Sequence, residues 1–256
     1  MRRFVAALGA AVLTFAVSAT PAAANHSWNG YHWARTANPF TLKLGDNVSG
    51  LWEGMLVAAS NDWTQSSVLD TTVVAGGTRG KPCRPTSGRV EVCSASYGNN
   101  GWLGLAQIWI SGSHIVQGVV KNNDYYFGSS TYQYNNTAEM QHVICQEIGH
   151  TFGLGHQDES GISLNTCMDY YHNASAADTK STHPNTHDYD ELATIDTHLD
   201  STSTVGASAT GANPVGAPGA DEDGTPLGAS RARGSWYAQD LGNGRFIVTH
   251  VYWIGH

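Results

Sequence analysis

Charged residues are scarce in this sequence. Only 13% of the 256 residues are charged, about half of the roughly 25% found in an average soluble domain. Lysine and arginine together number 13 against 21 aspartates and glutamates, so the net charge is −8. A basic surface is therefore missing, which excludes nucleic acid and anionic membranes as expected partners.

The sequence also lacks a hydrophobic run long enough to span a bilayer, which takes about 20 residues. The apolar stretch 4–17 is shorter, follows a basic Met1-Arg2-Arg3 and precedes Ala22-Ala23-Ala24. This order is typical of a secretory signal peptide that is cleaved after the last alanine. We therefore expect residues 1–24 to be removed and the mature protein to be secreted, extracellular and monomeric.

Cysteine is sparse, and no C-x-x-C spacing occurs, which argues against a zinc site built from cysteines. In an exported protein, four cysteines indicate disulfides, with three possible connectivities. Cys83 and Cys93 flank Pro85, Gly88 and a strand-like stretch at 89–92, and they are predicted to form a local pair. Cys145 and Cys167 then pair by default, and such a bond would tie the segments that carry them together.

Aromatic residues are abundant, with 8 Trp and 11 Tyr, which is incompatible with a disordered chain. Most of the tryptophans are expected in the core or lining a cleft. Trp52, Leu56, Ala59 and Trp63 fall on one face of a predicted helix that Ser49 could cap. Strands are predicted over residues 68–74, 103–110 and 115–120, and further helices over 136–153 and 188–199. The body, residues 25–200, is therefore predicted to be α+β.

The last quarter of the chain changes in composition. Residues 201–233 are rich in Gly, Ala, Ser, Thr and Pro, which predicts a flexible linker. Residues 234–256 contain two β-rich runs around Gly242-Asn243-Gly244, which indicates a β-hairpin. Because an isolated hairpin is marginal in water, we expect it to dock on the main body.

The stretch 145–156 carries the clearest chemical pattern. Gln146 and His150 lie one helical turn apart on the same face, so both side chains can reach one point. Glu147 lies beside them, where it can contact a water on a bound metal ion. Gly153 can end the helix in a left-handed turn that brings His156 back to the same point. The pattern predicts three metal ligands and a carboxylate base.

The pattern resembles the signature of the metzincin zinc proteases, H-E-x-x-H-x-x-G-x-x-H followed by a Met-turn. Glu147, His150, Gly153 and His156 match its fixed positions, and Asn165–Tyr170 is similar to the Met-turn. The resemblance implies a metzincin-like catalytic domain with a twisted mixed sheet, a metal-bearing helix, a Met-turn and a C-terminal helix, followed here by the β-hairpin. It also implies a zinc-dependent endopeptidase that acts on a peptide or protein substrate.

The same resemblance implies roles for individual residues. One catalytic Zn²⁺ would be held by Gln146, His150 and His156. Glu147 would be the general base, Met168 the apolar floor of the site, and Tyr170 a fifth ligand or an oxyanion donor. An extended substrate would pair with an edge strand that contains Gly104, Leu105 and Ala106.

The first ligand position departs from the signature because it holds Gln146 instead of histidine. An amide oxygen can reach the metal but suits hard cations better than zinc. His142 lies one helical turn before Gln146 and two turns, about 11 Å, before His150. It is therefore expected to be a surface or supporting histidine. The alternative to an active peptidase is therefore a non-catalytic pseudoenzyme on the same scaffold that binds protein or glycan. His172, His183, His187 and His198 are expected to be loop and cap residues.

Overall fold

The computed structural model describes residues 26–79, 81–207, 225–226 and 234–255. The predicted signal peptide and most of the predicted linker lie outside these residues. Within them, no helix has both the length and the apolar character that crossing a membrane requires.

The described chain forms nine strands and four helices in the following order: β1 (His32–Trp33), β2 (Phe40–Asn47), α1 (Glu53–Trp63), β3 (Leu69–Ala75), β4 (Val90–Ala95), β5 (Trp102–Ser111), β6 (His114–Asn123), α2 (Asp124–Phe127), α3 (Thr137–His150), α4 (Thr186–Ile195), β7 (Thr225–Pro226), β8 (Ser235–Gly242) and β9 (Arg245–Trp253).

All nine strands belong to one mixed sheet with the order β3-β2-β4-β6-β5-β9-β8-β7, and β1 pairs with β6. Strands β2, β3, β4 and β6 run parallel to one another. Strand β5 is antiparallel to both of its neighbours, β6 and β9. The C-terminal hairpin β8–β9 is therefore continuous with the sheet of the main body.

This architecture corrects the predicted fold class. The structure is 19% helical and 32% strand, a sheet-dominated fold, and the predicted helix-bearing α+β domain of the metzincin type is wrong. The reason lies in β9, which forms backbone hydrogen bonds with β5 along nearly its whole length. The hairpin therefore enlarges the sheet instead of docking as a separate unit beside an α+β body.

The helices α1 and α3 pack against each other and against the sheet. The predicted apolar face of α1 is confirmed, since Trp52, Leu56, Ala59 and Trp63 are all fully buried. Helix α3 is buried at every position from Ala138 to His150. It therefore runs through the core, and its polar side chains must find partners inside the protein.

The predicted boundaries of α1 and α4 are wrong. Ser49 does not cap α1, because the N-cap position is Trp52 and no side chain caps it. Helix α4 begins earlier than predicted, at a capping box formed by Asn185 and Asp188, and it ends at Ile195. The predicted face residue Leu199 lies beyond the helix and is 55% exposed. Strands β1 and β2 were not predicted.

Both predicted disulfides are confirmed. Cys83 pairs with Cys93, and Cys145 pairs with Cys167. The second bond joins α3 to the segment that contains Met168, so the two parts of the motif that are far apart in sequence are covalently linked.

Candidate metal centre

Helix α3 is held in place at both ends. The side chain of Asn136 accepts the backbone N–H of Glu139 at 3.0 Å and caps the start of the helix. The helix ends at His150, and Gly153 adopts a left-handed conformation with φ of 98°. A Cβ at this glycine would lie 2.0 Å from the carbonyl oxygen of Tyr31. Only glycine therefore permits the turn that returns the chain to His156.

Three buried imidazoles meet beyond this turn. His150 and His156 come from the motif, and His250 comes from β9. Their candidate ligand atoms all lie within 4.8 Å of one another. This histidine cluster can hold a metal ion.

In each imidazole of the histidine cluster, Nδ1 faces an acceptor oxygen. The partners are Leu154 O for His150 (2.8 Å), Glu159 Oε1 for His156 (3.2 Å) and the Glu147 carboxylate for His250 (3.1 and 3.2 Å). These contacts place a proton on Nδ1 and leave a lone pair on Nε2, the usual arrangement of a metal-bound histidine. All three Nε2 atoms are buried and have no hydrogen-bond partner. The donor set therefore fits a transition-metal ion such as zinc.

Burial also keeps these histidines neutral. It lowers the pKa of His150 well below its ordinary value, that of His156 to about 4 and that of His250 to about 3. A neutral imidazole is the form that binds a metal, because protonation removes the lone pair. The cluster is consequently ready to bind a cation at neutral pH without releasing a proton from nitrogen.

Glu147 is the carboxylate nearest to this cluster in sequence and contacts it in space through His250. The side chain is fully buried, and burial raises the pKa of its carboxyl well above the ordinary range. A divalent cation among the three Nε2 atoms would favour the ionised form again. Glu147 is therefore placed either to orient His250 or to exchange a proton within the site.

Gln146, the predicted first ligand, is held by the turn that contains Met168. Its amide nitrogen donates to the carbonyl oxygens of Cys167 at 2.8 Å and Asp169 at 2.7 Å. Its Oε1 atom is buried and has no hydrogen-bond partner. The histidines that could hold a metal ion together are His150, His156 and His250.

The predicted floor and oxyanion residues are both buried near the cluster. A Cβ added at Gly149 would lie 2.6 Å from the sulfur of Met168, so this methionine packs directly against α3. The Tyr170 ring lies 5.4 Å from that of His156. Its hydroxyl accepts the backbone N–H of Trp253 at 3.1 Å, so the C-terminal strand engages it.

The C-terminal hairpin covers the cluster with more than His250. The Trp236 ring, on β8, lies 4.4 Å from the ring of His250 and 4.9 Å from that of His150. Gly234 has φ of 76°, and a Cβ there would lie 2.6 Å from His250 Nε2. The hairpin backbone therefore passes within van der Waals distance of the atoms that would hold a metal.

The predicted substrate strand is not open in this structure. Gly104, Leu105 and Ala106 lie in β5, which pairs with β6 on one side and with β9 on the other. The expectation that these residues form a free edge is wrong, because the hairpin occupies that edge. Gly104 nevertheless lies next to the motif, since a Cβ there would be 3.1 Å from Glu147 Cγ.

A cleft of about 530 Å³ remains open beside the cluster. His156 and Trp236 are among its lining residues, and Trp28, Tyr31, Phe246 and Val248 contribute apolar surface. The cleft therefore gives an approach to the histidine cluster that the hairpin narrows without filling.

His250 is the site residue that sequence reasoning missed. A weak signal was present, because this histidine interrupts an apolar strand that alternates through Val248 and Tyr252. A histidine in such a strand becomes buried and needs a partner. The sequence alone does not show that the partner is Glu147, 103 residues away.

Three histidines that are not part of the motif form hydrogen bonds or ion pairs elsewhere. His142 is buried between Asn173 and the Asp169 carbonyl, at 2.9 and 3.0 Å, which agrees with a supporting role. His172 pairs with Glu139 at 2.7 Å and His183 with Asp62 at 2.6 Å.

The comparison with known proteins gives no assignment for this chain. No family model matches it, and no curated protein sequence matches it. The histidine cluster is therefore the feature of the chain that indicates a function.

Proposed function

We propose that the protein is a secreted zinc-dependent peptidase whose catalytic residue is Glu147, and that the C-terminal hairpin closes its site in the intact chain. The observation that carries the proposal is the histidine cluster, in which three buried Nε2 atoms without partners meet next to a fully buried glutamate. Burying that many lone pairs without a partner is costly unless a cation binds them. The metzincin-like order of Glu147, His150, Gly153 and His156 supports the peptidase assignment.

The chemistry follows from where these groups lie. Zinc, when bound, would lower the pKa of water to about 7 and polarise a carbonyl group. Glu147 would accept the proton of the attacking water and deliver it to the leaving amine. Tyr170, whose ring lies next to His156, would donate its hydroxyl to the developing oxyanion. The apolar cleft beside His156 would receive a substrate side chain.

The hairpin engages the groups that this reaction needs. His250 contacts Glu147, Trp253 contacts Tyr170, and β9 occupies the strand edge along β5. An extended peptide would have to displace β9 to pair with β5. We therefore expect the intact chain to cleave peptides slowly and an opened form to cleave them faster.

One observation favours a second candidate, a non-catalytic protein that the metal stabilises. A histidine ligand whose Nδ1 binds a carboxylate is a common arrangement in metal sites without any catalytic demand. If His250 is a permanent ligand, Glu147 is the carboxylate that orients it, and β9 stays paired with β5. This candidate corresponds to the pseudoenzyme alternative.

His250 variants of the full-length protein separate the two candidates. His250→Ala removes the imidazole and leaves Glu147, Gln146, His150 and His156 in place. His250→Pro in addition disrupts the pairing of β9 with β5, because proline cannot donate to the ladder. Thr249→Ala, at the neighbouring position of the same strand, is the matched control. Each variant is measured for zinc content by mass spectrometry and for cleavage of a quenched fluorescent peptide, with and without chelator.

The peptidase proposal expects His250→Ala, at micromolar free zinc, to bind about one zinc more than the same variant that also carries His150→Ala and His156→Ala. It also expects chelator-sensitive cleavage at least tenfold above wild type in one of the opened variants, and adding Glu147→Gln should abolish that cleavage while the zinc stays bound. If the opened variants show no such zinc difference, or show it and cleave nothing, the peptidase proposal is wrong. Loss of zinc together with loss of thermal stability in His250→Ala would support the second candidate.

A further inference from the structure

A second group of histidines meets around one carboxylate, away from the histidine cluster described above. His32 lies in β1, His114 begins β6 directly opposite it, and His198 and Asp200 follow α4. The His32 ring lies 5.0 Å from that of His114 and 4.7 Å from that of His198. Three segments far apart in sequence are thus brought to one point by side chains that can bind metal.

His32 has an unusual environment for a buried histidine. Its Nδ1 donates to the carbonyl oxygen of Gly30 at 2.8 Å, which leaves a lone pair on Nε2. That Nε2 is buried without a hydrogen-bond partner and lies 3.7 Å from Oδ2 of Asp200. A lone pair therefore faces a carboxylate oxygen. Two acceptors in this arrangement repel each other unless a cation lies between them.

The distances fit a shared ion better than direct contact. His32 Nε2 is 3.7 Å from Asp200 Oδ2, and His198 Nε2 is 3.6 Å from Asp200 Oδ1. These separations exceed the usual hydrogen-bond range of about 2.7–3.2 Å. Tetrahedral zinc with bonds of about 2.0–2.1 Å keeps its ligand atoms about 3.3–3.4 Å apart. Small shifts would therefore convert the present geometry into a coordinated one.

The carboxylate itself is well oriented. His114 Nε2 lies 3.1 Å from Oδ1, and the backbone N–H of Arg35 donates to Oδ2 at 3.2 Å. The Arg35 guanidinium is also 3.5 Å from Oδ2, but Asp196 pairs with this guanidinium at 3.2 Å and offsets its charge. The free Nε2 of His32 and the oriented carboxylate of Asp200 are donor groups that bind zinc.

We propose that His32 Nε2, His198 Nε2 and the Asp200 carboxylate bind a second zinc ion, with His114 holding the carboxylate from outside. The proposal is independent of the function proposed for the histidine cluster. The ion would clamp β1 to the segment after α4 and to the turn between β5 and β6. His198 is more than half exposed, so the fourth coordination position faces solvent and the ion can enter directly.

The test compares zinc stoichiometry in full-length variants by competition with a chromophoric chelator. His198→Ala removes an exposed ligand, so the fold should be preserved. His32→Gln removes the buried ligand, and His183→Ala, an exposed histidine paired with Asp62, is the matched control. His198→Ala and His32→Gln should each bind one zinc fewer than wild type, while His183→Ala should equal wild type.

A second measurement uses Co²⁺ in place of zinc. Wild type minus His198→Ala should give a visible difference spectrum typical of tetrahedral nitrogen and oxygen ligands. Stoichiometry is read as a difference from wild type, so the result stands whether or not the histidine cluster also binds an ion. If wild type and His198→Ala bind equal amounts of zinc with affinities within threefold, the group is only a hydrogen-bonded cluster and the proposal is wrong.

Discussion

Replacing Gln146 by histidine would complete the resemblance of residues 146–156 to the metzincin signature, and the structure predicts that the exchange lowers stability without metal. The amide nitrogen of Gln146 donates to the carbonyl oxygens of Cys167 and Asp169, both inside the core. An imidazole can keep at most one of these bonds. The Asp169 carbonyl oxygen would keep its hydrogen bond with His142 Nε2, at 3.0 Å. The Cys167 carbonyl oxygen has no second hydrogen-bond partner among the contacts described.

The size of the loss follows from the bond that cannot be kept. The lost bond costs about 0.5–1.5 kcal/mol if its carbonyl is that of Asp169, which His142 still contacts, and about 1–3 kcal/mol if the Cys167 carbonyl is left unsatisfied. In a protein of this size each kcal/mol shifts the melting temperature by about 2–4 °C. Gln146→His should therefore melt about 1–12 °C below wild type in the presence of a chelator.

Zinc should reverse this difference. If the added imidazole raises zinc affinity 10- to 100-fold, saturating zinc stabilises the variant by about 1.4–2.7 kcal/mol more than wild type. Scanning calorimetry in chelator and in excess zinc measures both effects. Gln141→His is the matched control, because Gln141 lies on the same helix and its buried amide nitrogen has no partner to lose. Equal melting temperatures for Gln146→His and wild type in chelator would refute the conclusion that hydrogen bonds from the Gln146 amide stabilise the turn that contains Met168.

Three other predictions follow from described contacts. Replacing Cys145 and Cys167 by alanine opens a loop with a sequence separation of 22 and should lower the free energy of unfolding in denaturant by about 3 kcal/mol. The same change at Cys83 and Cys93, with a separation of 10, should lower it by less. The reverse order would contradict the dependence on loop length. Gly234→Ala places a Cβ 2.6 Å from His250 Nε2 and should weaken zinc binding at least tenfold in a chelator competition; unchanged affinity would show that the hairpin is free to move there. Burial raises the pKa of Asp188 from 3.8 to about 6. The contribution of this carboxyl group to stability is therefore full below pH 4 and is lost as pH rises through 6, so the melting temperature of Asp188→Asn should rise relative to that of wild type between pH 4 and 7. A constant difference between the two melting temperatures over this range would exclude the titration.

The elements closest to the motif were the most predictable. The helix that carries Gln146, Glu147 and His150 has a polar N-cap and a glycine turn, both of which act locally. The hairpin turn at Asn243-Gly244 is equally local, since both residues adopt positive φ as a tight turn requires. Disulfide pairing was also predictable, because close spacing of Cys83 and Cys93 left one remaining pair.

Predictions failed where distant segments meet. Helix α4 ends before Leu199 because Asp196 and Asp200, which follow it, both pair with the buried Arg35. The sequence of β2 does not show which strands lie beside it. Its parallel neighbours β3 and β4 pair with it only in the folded sheet. The fold class was wrong for the same reason, since β9 joins β5 across more than 100 residues of sequence.

The sequence by itself determined the local geometry of a candidate metal site: two histidines and a glutamate on a helix and its turn, with spacing fixed by the helical repeat and by Gly153. Only the tertiary structure decided the third histidine and the state of the site. His250 reaches the cluster because β9 pairs with β5, and no local pattern encodes which strands pair. The same pairing occupies the predicted substrate edge and brings His250 against Glu147, so a peptide could pair with β5 only if β9 moved.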